Sequence, residues 1–364
     1  MKYKFFRICI ICSRLDQPGG IERAIVNTAN LLQENGYEVM LLVLDTTSAS
    51  FFPLHPQIAV YREALHFGIT KKGNIISRKI DFLRHTHRLE ETINSLKPDA
   101  VITTEYPFTI TACLATEKTG IPVFAWEHHH FYHLQKNKFW RRLQKKFYPK
   151  AKSVICLNPG EAELFKSIGC KTDVIPNFIE QGQKAPLQSK TFITVGWLSK
   201  TKGIDLVPEL AQKIFAGHPD WKWKIIGTGD EKEALVRSLR TENLSSHVQV
   251  IEPTTHDLTN DYLSASMYIM LSKFECFPMV LLEAMSHGIP CLAFDCPTGP
   301  KHIIKHGEDG LLIHQNNLED MFMSICRLIE KENERRALGS NAYVNIDRFS
   351  PGKIFPLWEA ILKR

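Results

Sequence analysis

No stretch of this 364-residue chain approaches the ~20 consecutive apolar residues of a membrane-spanning helix, so an integral helical membrane protein is excluded. The basic start, Met1-Lys2-Tyr3-Lys4-Phe5-Phe6-Arg7, is followed by only a short apolar run, Ile8 to Cys12, too short for a signal-peptide core. A first buried strand and a cytoplasmic location are the expectation. The nine cysteines are odd in number and scattered, which argues against a disulfide framework. Cys9 and Cys12 form a C-x-x-C inside a strand-like run. Residues three apart on a strand face opposite ways, so neither a redox nor a metal motif follows. The chain also lacks G-x-G-x-x-G, which leaves a dinucleotide site poorly supported, and it lacks H-E-x-x-H. No short internal repeat is evident.

The composition that is present, 44% hydrophobic over this length, suits about two domains. The net charge of +6 is uneven, with +7 in residues 1–180 and −1 in the remainder. The densest basic cluster is Lys136, Lys138, Arg141, Arg142, Lys145, Lys146, Lys150 and Lys152, interleaved with Phe139, Trp140, Phe147 and Tyr148. A basic, aromatic-rich helix of this kind can lie on an anionic membrane surface or meet an anionic acceptor. A solvated helix with its aromatics in the core has the same pattern.

Strands and helices alternate along the first half. Tyr3–Cys12, Glu38–Leu44, Asp99–Thr103, Val123–Trp126, Ser153–Leu157 and Thr172–Ile175 read as strands, and Ile21–Gln33 as an amphipathic helix. A polar stretch, Glu180–Lys190, reads as a linker. The pattern then restarts. Thr191–Val195, Lys222–Ile226, Val248–Ile251, Tyr268–Leu271 and Cys291–Phe294 are expected strands; Asp205–Ala216, Glu231–Glu242 and Glu319–Glu332 are expected helices. Such alternation implies α/β architecture with doubly wound parallel sheets, in two Rossmann-like domains facing across a cleft. The expected bounds are 1–182, 190–345 and a closing helix within 346–364, whose apolar positions include Phe355, Trp358 and Ile361.

Four features carry chemistry. Glu275 and Glu283 stand eight positions apart with Pro278 between them, just after the apolar run Tyr268–Leu271. The reading is strand, short loop, then a helix with Pro278 as its first residue. A helix start favours an anion such as a diphosphate, and the carboxylates can accept hydrogen bonds from sugar hydroxyls. An ordinary helix with one buried, partnered Glu fits the same spacing. Gly19-Gly20 closes the loop after the first strand, where backbone can approach a ligand or simply turn. Lys200 and Lys202 follow the strand Thr191–Val195, and Lys202, directly before Gly203, is the better phosphate-neutralising candidate. Glu127-His128-His129-His130, with His133, follows the strand Val123–Trp126. Consecutive histidines cannot all point one way, so one histidine donating into the cleft is favoured over a zinc site.

Together these segments resemble the glycosyltransferase family 4 group of GT-B retaining enzymes over nearly the whole chain. The resemblance rests on Gly19-Gly20-Ile21-Glu22-Arg23-Ala24, Trp126-Glu127-His128, Val174-Ile175-Pro176-Asn177 and Gly196-x-Leu198 to Lys202-Gly203. It continues in Ile226-Gly227-Thr228-Gly229-Asp230, the E-x7-E of Glu275 and Glu283, and Phe294-Asp295-Cys296-Pro297-Thr298-Gly299-Pro300. It implies that Glu275 holds donor-sugar hydroxyls and that Glu283 binds the ribose. Lys202 and the backbone around Phe277, Pro278, Met279 and Val280 would meet the diphosphate. Gly19, Gly20, Gly227 and Gly229 would shape the donor site, and His128 would contact the transferred sugar. Two positions depart from the family pattern: Trp197 stands where Arg is common, and Cys276 where Gly is common.

The implied function is a retaining hexosyltransferase that needs neither metal nor cofactor. It would move a hexose, with a UDP-sugar the expected donor, to a lipid-linked or oligosaccharide acceptor in surface-polysaccharide assembly. Its N-terminal domain would bind acceptor and its second domain the nucleotide sugar, with the inner-membrane surface met through Lys136–Lys152 and no nucleic-acid partner. A sugar-nucleotide epimerase or hydrolase, or a non-catalytic nucleotide-sugar-binding subunit, would share the fold.

Overall fold

The computed structural model describes residues 6–45, 49–67, 75–132 and 138–364. His133, Lys136 and the first residues of the expected strand Tyr3–Cys12 lie outside them. The chain forms two compact units, Met1–Pro176 with Phe355–Arg364, and Asn177–Ile354.

The first unit holds β1 (Arg7–Cys12), β2 (Glu38–Val43), β3 (Ala59–Arg62), β4 (Ala100–Thr103), β5 (Val123–Glu127), β6 (Ser153–Cys156) and β7 (Thr172–Val174). They form one parallel sheet in the order β3-β2-β1-β4-β5-β6-β7. The second unit holds β8 (Thr191–Val195), β9 (Lys222–Ile226), β10 (Val248–Ile251), β11 (Met267–Met270), β12 (Cys291–Asp295) and β13 (Gly310–His314). Their order is β10-β9-β8-β11-β12-β13, again parallel. In each sheet the winding direction reverses beside the first strand, so the neighbouring pairs β1/β4 and β8/β11 are switch points. Right-handed crossovers then put helices on opposite faces of each sheet. Strands covered on both faces read as continuous apolar runs, as in fully buried Ile8–Cys12 and Met267–Ile269. Each unit has its own apolar core.

Several element boundaries differ from the sequence-based expectation for local reasons. The helix expected from Asp205 is a single turn, Ile204–Leu206, followed by a helix Val207–Gly217 with Pro208 in its first turn. The helix expected to run to Glu332 ends at Glu330, and Glu332–Asn345 is a separate helix after Lys331, whose ψ of 74 is not helical. Pro278 is not the first helical residue. It caps the helix Met279–Ser286 with ψ 109, one step outside. The edge strand β3, the last strand β13 and the helices Ile75–Leu96 and Tyr106–Ala115 were not anticipated. β3 is exposed along its length and so has no buried apolar face to signal it.

The polar stretch expected as a linker belongs to the second unit. There the Gly182 N–H donates to Ser286 O and the Ala185 N–H to His287 O. The closing helix, Pro351–Leu362, begins in the second unit and from Phe355 onward belongs to the first. Trp358 meets Trp126 edge-on at 5.1 Å, and Phe355 meets Tyr37 at 6.4 Å. All nine cysteines are free thiols. Among the described residues no helix is long and apolar enough to cross a membrane.

Candidate active site

The second unit brings two of the expected site residues into direct contact. Past β8 the chain makes a turn, Lys200–Lys202, closed by Gly203 at φ 70. A Cβ on Gly203 would lie 2.0 Å from Leu271 O, so only glycine lets this turn rest on the backbone leaving β11. The Lys273 N–H donates to Thr201 O (2.8 Å), tying the same two loops together. As a result Lys202 Nζ stands 2.6 Å from Glu275 Oε1, with side-chain exposures of 35% and 9%. This ion pair sits at the β8/β11 switch point, beyond the carboxyl ends of the strands, where open α/β sheets bind ligands. Lys200, the other lysine considered, is exposed, with Glu231 at 4.0 Å its one ion partner among the described residues.

Neighbouring loops brace the pair. The Thr298 hydroxyl donates to Glu275 O (2.6 Å). A Cβ on Gly299 would come within 2.9 Å of Glu275 Cβ and 2.8 Å of Pro278 Cδ. Thr298 and Gly299 therefore hold the Glu275 loop from β12, a role that the sequence reading did not assign although it quoted their motif. Gly227 and Gly229 owe their identity to close approach as well. Side chains there would meet Gly196 O at 1.9 Å and Leu198 O at 2.4 Å. Phe277, Pro278 and Met279 are buried, and Phe277 meets Phe349 edge-on at 5.5 Å. The first N–H groups of the Met279–Ser286 helix, including that of Val280, have no acceptor within the helix, which makes its start suited to an anion. Cys276 is buried and has negative φ, so the position does not require glycine. Trp197 is exposed.

Glu283 is buried one turn into the same helix, among fully buried Leu281, Leu282, Ala284 and Met285. Its Oε2 accepts a hydrogen bond from the Tyr262 hydroxyl (2.8 Å). Burying a carboxylate in apolar surroundings costs several kcal/mol unless it is partnered, and Tyr262 is one such partner.

Gly19, Gly20 and His128 belong to the first unit. Gly19 caps the helix Gly20–Glu34, and a Cβ there would meet Glu22 Oε2 at 2.1 Å. Burial pushes the Glu22 carboxyl above its ordinary pKa, opposed by its own backbone hydrogen bond and by Arg14. Burial likewise raises Glu105, just past β4, opposed by the Ser13 hydroxyl and Arg14. Neither acid was singled out in the sequence, because nothing local shows that the β1 and β4 loops are neighbours.

His128 follows β5 and is 6% exposed, its ring 4.3 Å from that of Trp126. Burial, with a smaller effect from His129, pushes its pKa down to about 3, so the imidazole is neutral at physiological pH. Its Nε2 is buried without a hydrogen-bond partner among the described residues. Such atoms are uncommon in folded proteins and cost about 1–3 kcal/mol. His130 turns elsewhere: its Nδ1 is 3.3 Å from Glu161 Oε1, and the Phe131 N–H donates to Glu161 Oε2 (2.9 Å). Among the described residues no group of three or more His, Cys, Asp or Glu side chains is placed to hold a metal ion.

Two parallel-sheet units of this order define a GT-B architecture. Staphylococcus aureus TarM, solved as a mutant in complex with fondaparinux, alpha-GlcNAc-glycerol and UDP, superposes with a TM-score of 0.84 at 15% identity, over 99% of this chain and 100% of that one. Residues 18–182 match the family described as Glycosyltransferase Family 4, and residues 177–345 match that described as Glycosyl transferases group 1. An uncharacterized glycosyltransferase of Haemophilus influenzae is 28% identical over 98% of this chain and 99% of its own length. The lipopolysaccharide 1,6-galactosyltransferase of Escherichia coli K12 is 29% identical over 73% of this chain and 76% of its own. The chain belongs to the group 1, family 4 glycosyltransferases.

Proposed function

We propose that this glycosyltransferase moves a hexose from a UDP-sugar to a lipid-linked or oligosaccharide acceptor, with retention of anomeric configuration, in surface-polysaccharide assembly. The Lys202–Glu275 contact at the β8/β11 switch point carries the reading. A diphosphate needs its charge neutralised, and a hexose needs hydroxyl acceptors beside it; an ammonium 2.6 Å from a carboxylate supplies both at one place. The relatives' activity on lipopolysaccharide and the UDP bound to TarM support the choice of acceptor and donor.

In this reading Lys202 and the N–H groups at the start of Met279–Ser286, including Val280, bind the diphosphate. Phe277 and Pro278 set the path of the loop, and Gly227 and Gly229 keep the β9 loop against the β8 loop. Glu275 accepts from the hexose hydroxyls and Glu283 from the ribose. His128, neutral, donates to the transferred sugar, and Gly19 and Gly20 shape the phosphate side. The bond from the anomeric carbon to the β-phosphate oxygen breaks, and its electron pair leaves with the phosphate. An acceptor hydroxyl attacks the same face and forms the new C–O bond, and its proton passes to the departing phosphate oxygen. No protein nucleophile enters, and lysine with the helix start takes the place a divalent ion would otherwise fill. The test is incubation with UDP-hexoses and a lipid-linked saccharide, followed by NMR of the product. An α-linked product from an α-donor, formed equally with and without EDTA, is expected. Free sugar or an epimer formed without acceptor would overturn the transferase assignment, and loss of activity in EDTA would overturn metal independence.

The same reading places the protein peripherally at the cytoplasmic membrane face. In the helix Lys138–Phe147, Trp140 and Phe147 are core residues, so the aromatic–basic pattern is partly a packing pattern. Phe139, however, is 47% exposed beside Lys138, Arg141, Arg142, Lys145 and Lys146. Its ring meets that of Phe82 at 6.3 Å, and the Phe82 helix exposes Ile80 (57%) and Leu83 (66%). Apolar side chains rimmed by cations suit an anionic bilayer. Co-sedimentation with phosphatidylglycerol vesicles is expected, weakening with salt and roughly thirtyfold in Arg141→Ala/Lys145→Ala, since two charges of about 1 kcal/mol each are removed from the surface. Equal binding by the variant would remove this surface from the proposal.

A further inference from the structure

We infer that Tyr262 is the positioning residue for ribose recognition: its hydroxyl holds the Glu283 carboxylate in the orientation that accepts from the nucleotide's ribose. The inference rests on the reading that Glu283 binds ribose, and it adds a residue that no sequence motif marked.

Tyr262 comes from a short helix, Thr259–Leu263, just before β11, twenty-one positions from its partner. The side chain is almost fully buried, so its hydroxyl has a structural reason to be satisfied, and Glu283 Oε2 at 2.8 Å satisfies it. The ring is itself held. It stacks on His287 with centroids 5.3 Å apart and planes within 16°. His287 is fixed in turn, with Nδ1 2.8 Å from Gln183 O. His287 caps the helix that carries Glu283, so one helix supplies both the carboxylate and the platform that aims its partner. A carboxylate on a flexible chain has several rotamers, and selecting one in advance lowers the entropy cost of ribose binding. A phenol locked by stacking is a rigid means of doing so. Its neutral O–H also stabilises the buried carboxylate without cancelling the charge that attracts ribose hydroxyls.

The test measures calorimetric binding of UDP and of 2′,3′-dideoxy-UDP to the full chain. Tyr262→Phe keeps the stacked ring and deletes one hydroxyl. Its expected effect is a roughly tenfold weaker Kd for UDP, the scale of one charge-assisted hydrogen bond, with the dideoxy nucleotide unchanged within about twofold. A purely structural tyrosine would weaken both nucleotides alike, and that result overturns the inference, as does no change in either. In a Glu283→Gln background the Tyr262→Phe effect should shrink to within about twofold; a full effect there also overturns it. Should Tyr262→Phe melt too low to assay, His287→Leu removes the stacking platform and is expected to show the same ribose-selective loss. Glu283→Gln separates the two levels. If it weakens UDP and the dideoxy form equally, the ribose reading itself fails. If it is ribose-selective while Tyr262→Phe is not, only the Tyr262 inference fails.

Discussion

Replacing Lys202 with Ala is expected to lower kcat/KM by roughly 10²–10³-fold, the scale seen when one preorganised charge donor is removed from a developing anion. The variant loses the ammonium that neutralises the leaving diphosphate. It also leaves Glu275, only 9% exposed, without its ion partner. The second effect costs stability. Lys202 is 35% exposed, so solvent screening holds the cost to about 1 kcal/mol. Folding is therefore retained while transfer is lost, and steady-state kinetics beside a thermal melt separates the two. Lys202→Arg keeps the charge but replaces a compact point charge with a longer planar fork, so partial activity is expected. Lys200→Ala, at the exposed neighbour, should leave kcat/KM within about twofold. Wild-type rates in Lys202→Ala would remove this lysine from the site.

Gly203→Ala is expected to be strongly destabilising, by roughly 3 kcal/mol or a fall in Tm of about 6–12 °C. Two costs add. At φ 70 a side chain strains its own backbone, and the new Cβ lies 2.0 Å from Leu271 O and 2.7 Å from Leu271 C. The carbonyl at the end of β11 cannot swing away as a flexible side chain would, so the turn carrying Lys202 must move. Turnover should fall with stability because the 2.6 Å contact to Glu275 depends on that turn. Gly307→Ala is the matched control. It has φ 76 in the same unit, with nothing within 4 Å of the added carbon, and should cost about 1 kcal/mol from strain alone. Equal melts for the two variants would show that contact with Leu271 is not what requires glycine.

His128 and Glu283 show the two ways in which a sequence candidate can be right in kind and incomplete in circumstance. His128 was picked from its place after a strand, and its burial, its neutral state and its unpartnered Nε2 come from the elements packed around β5. Glu283 was read both as a ribose ligand and as an ordinary buried, partnered Glu. It is indeed buried and partnered, yet the partner, Tyr262, is a hydrogen-bond donor that suits the first reading as well as the second. Pro278 was misplaced by one residue because its fixed φ is compatible with both the cap and the first helical position, and ψ decides between them.

What this sequence determined by itself is whatever depends on neighbours along the chain. Apolar runs buried on both faces specify strands, 3.6-residue spacing specifies the Gly20–Glu34 helix, and their alternation specifies two doubly wound sheets. Only the tertiary structure decided which loops meet. Parallel pairing joins β8 to β11 across the whole of β9 and β10, so Lys202 reaches Glu275 over 73 positions and Tyr262 reaches Glu283 over 21. The return of Trp358 to Trp126 is a longer case of the same kind. Periodicity is a local quantity and carries no record of such distances, whereas glycines such as Gly203 mark where two remote backbones must touch without naming the other partner.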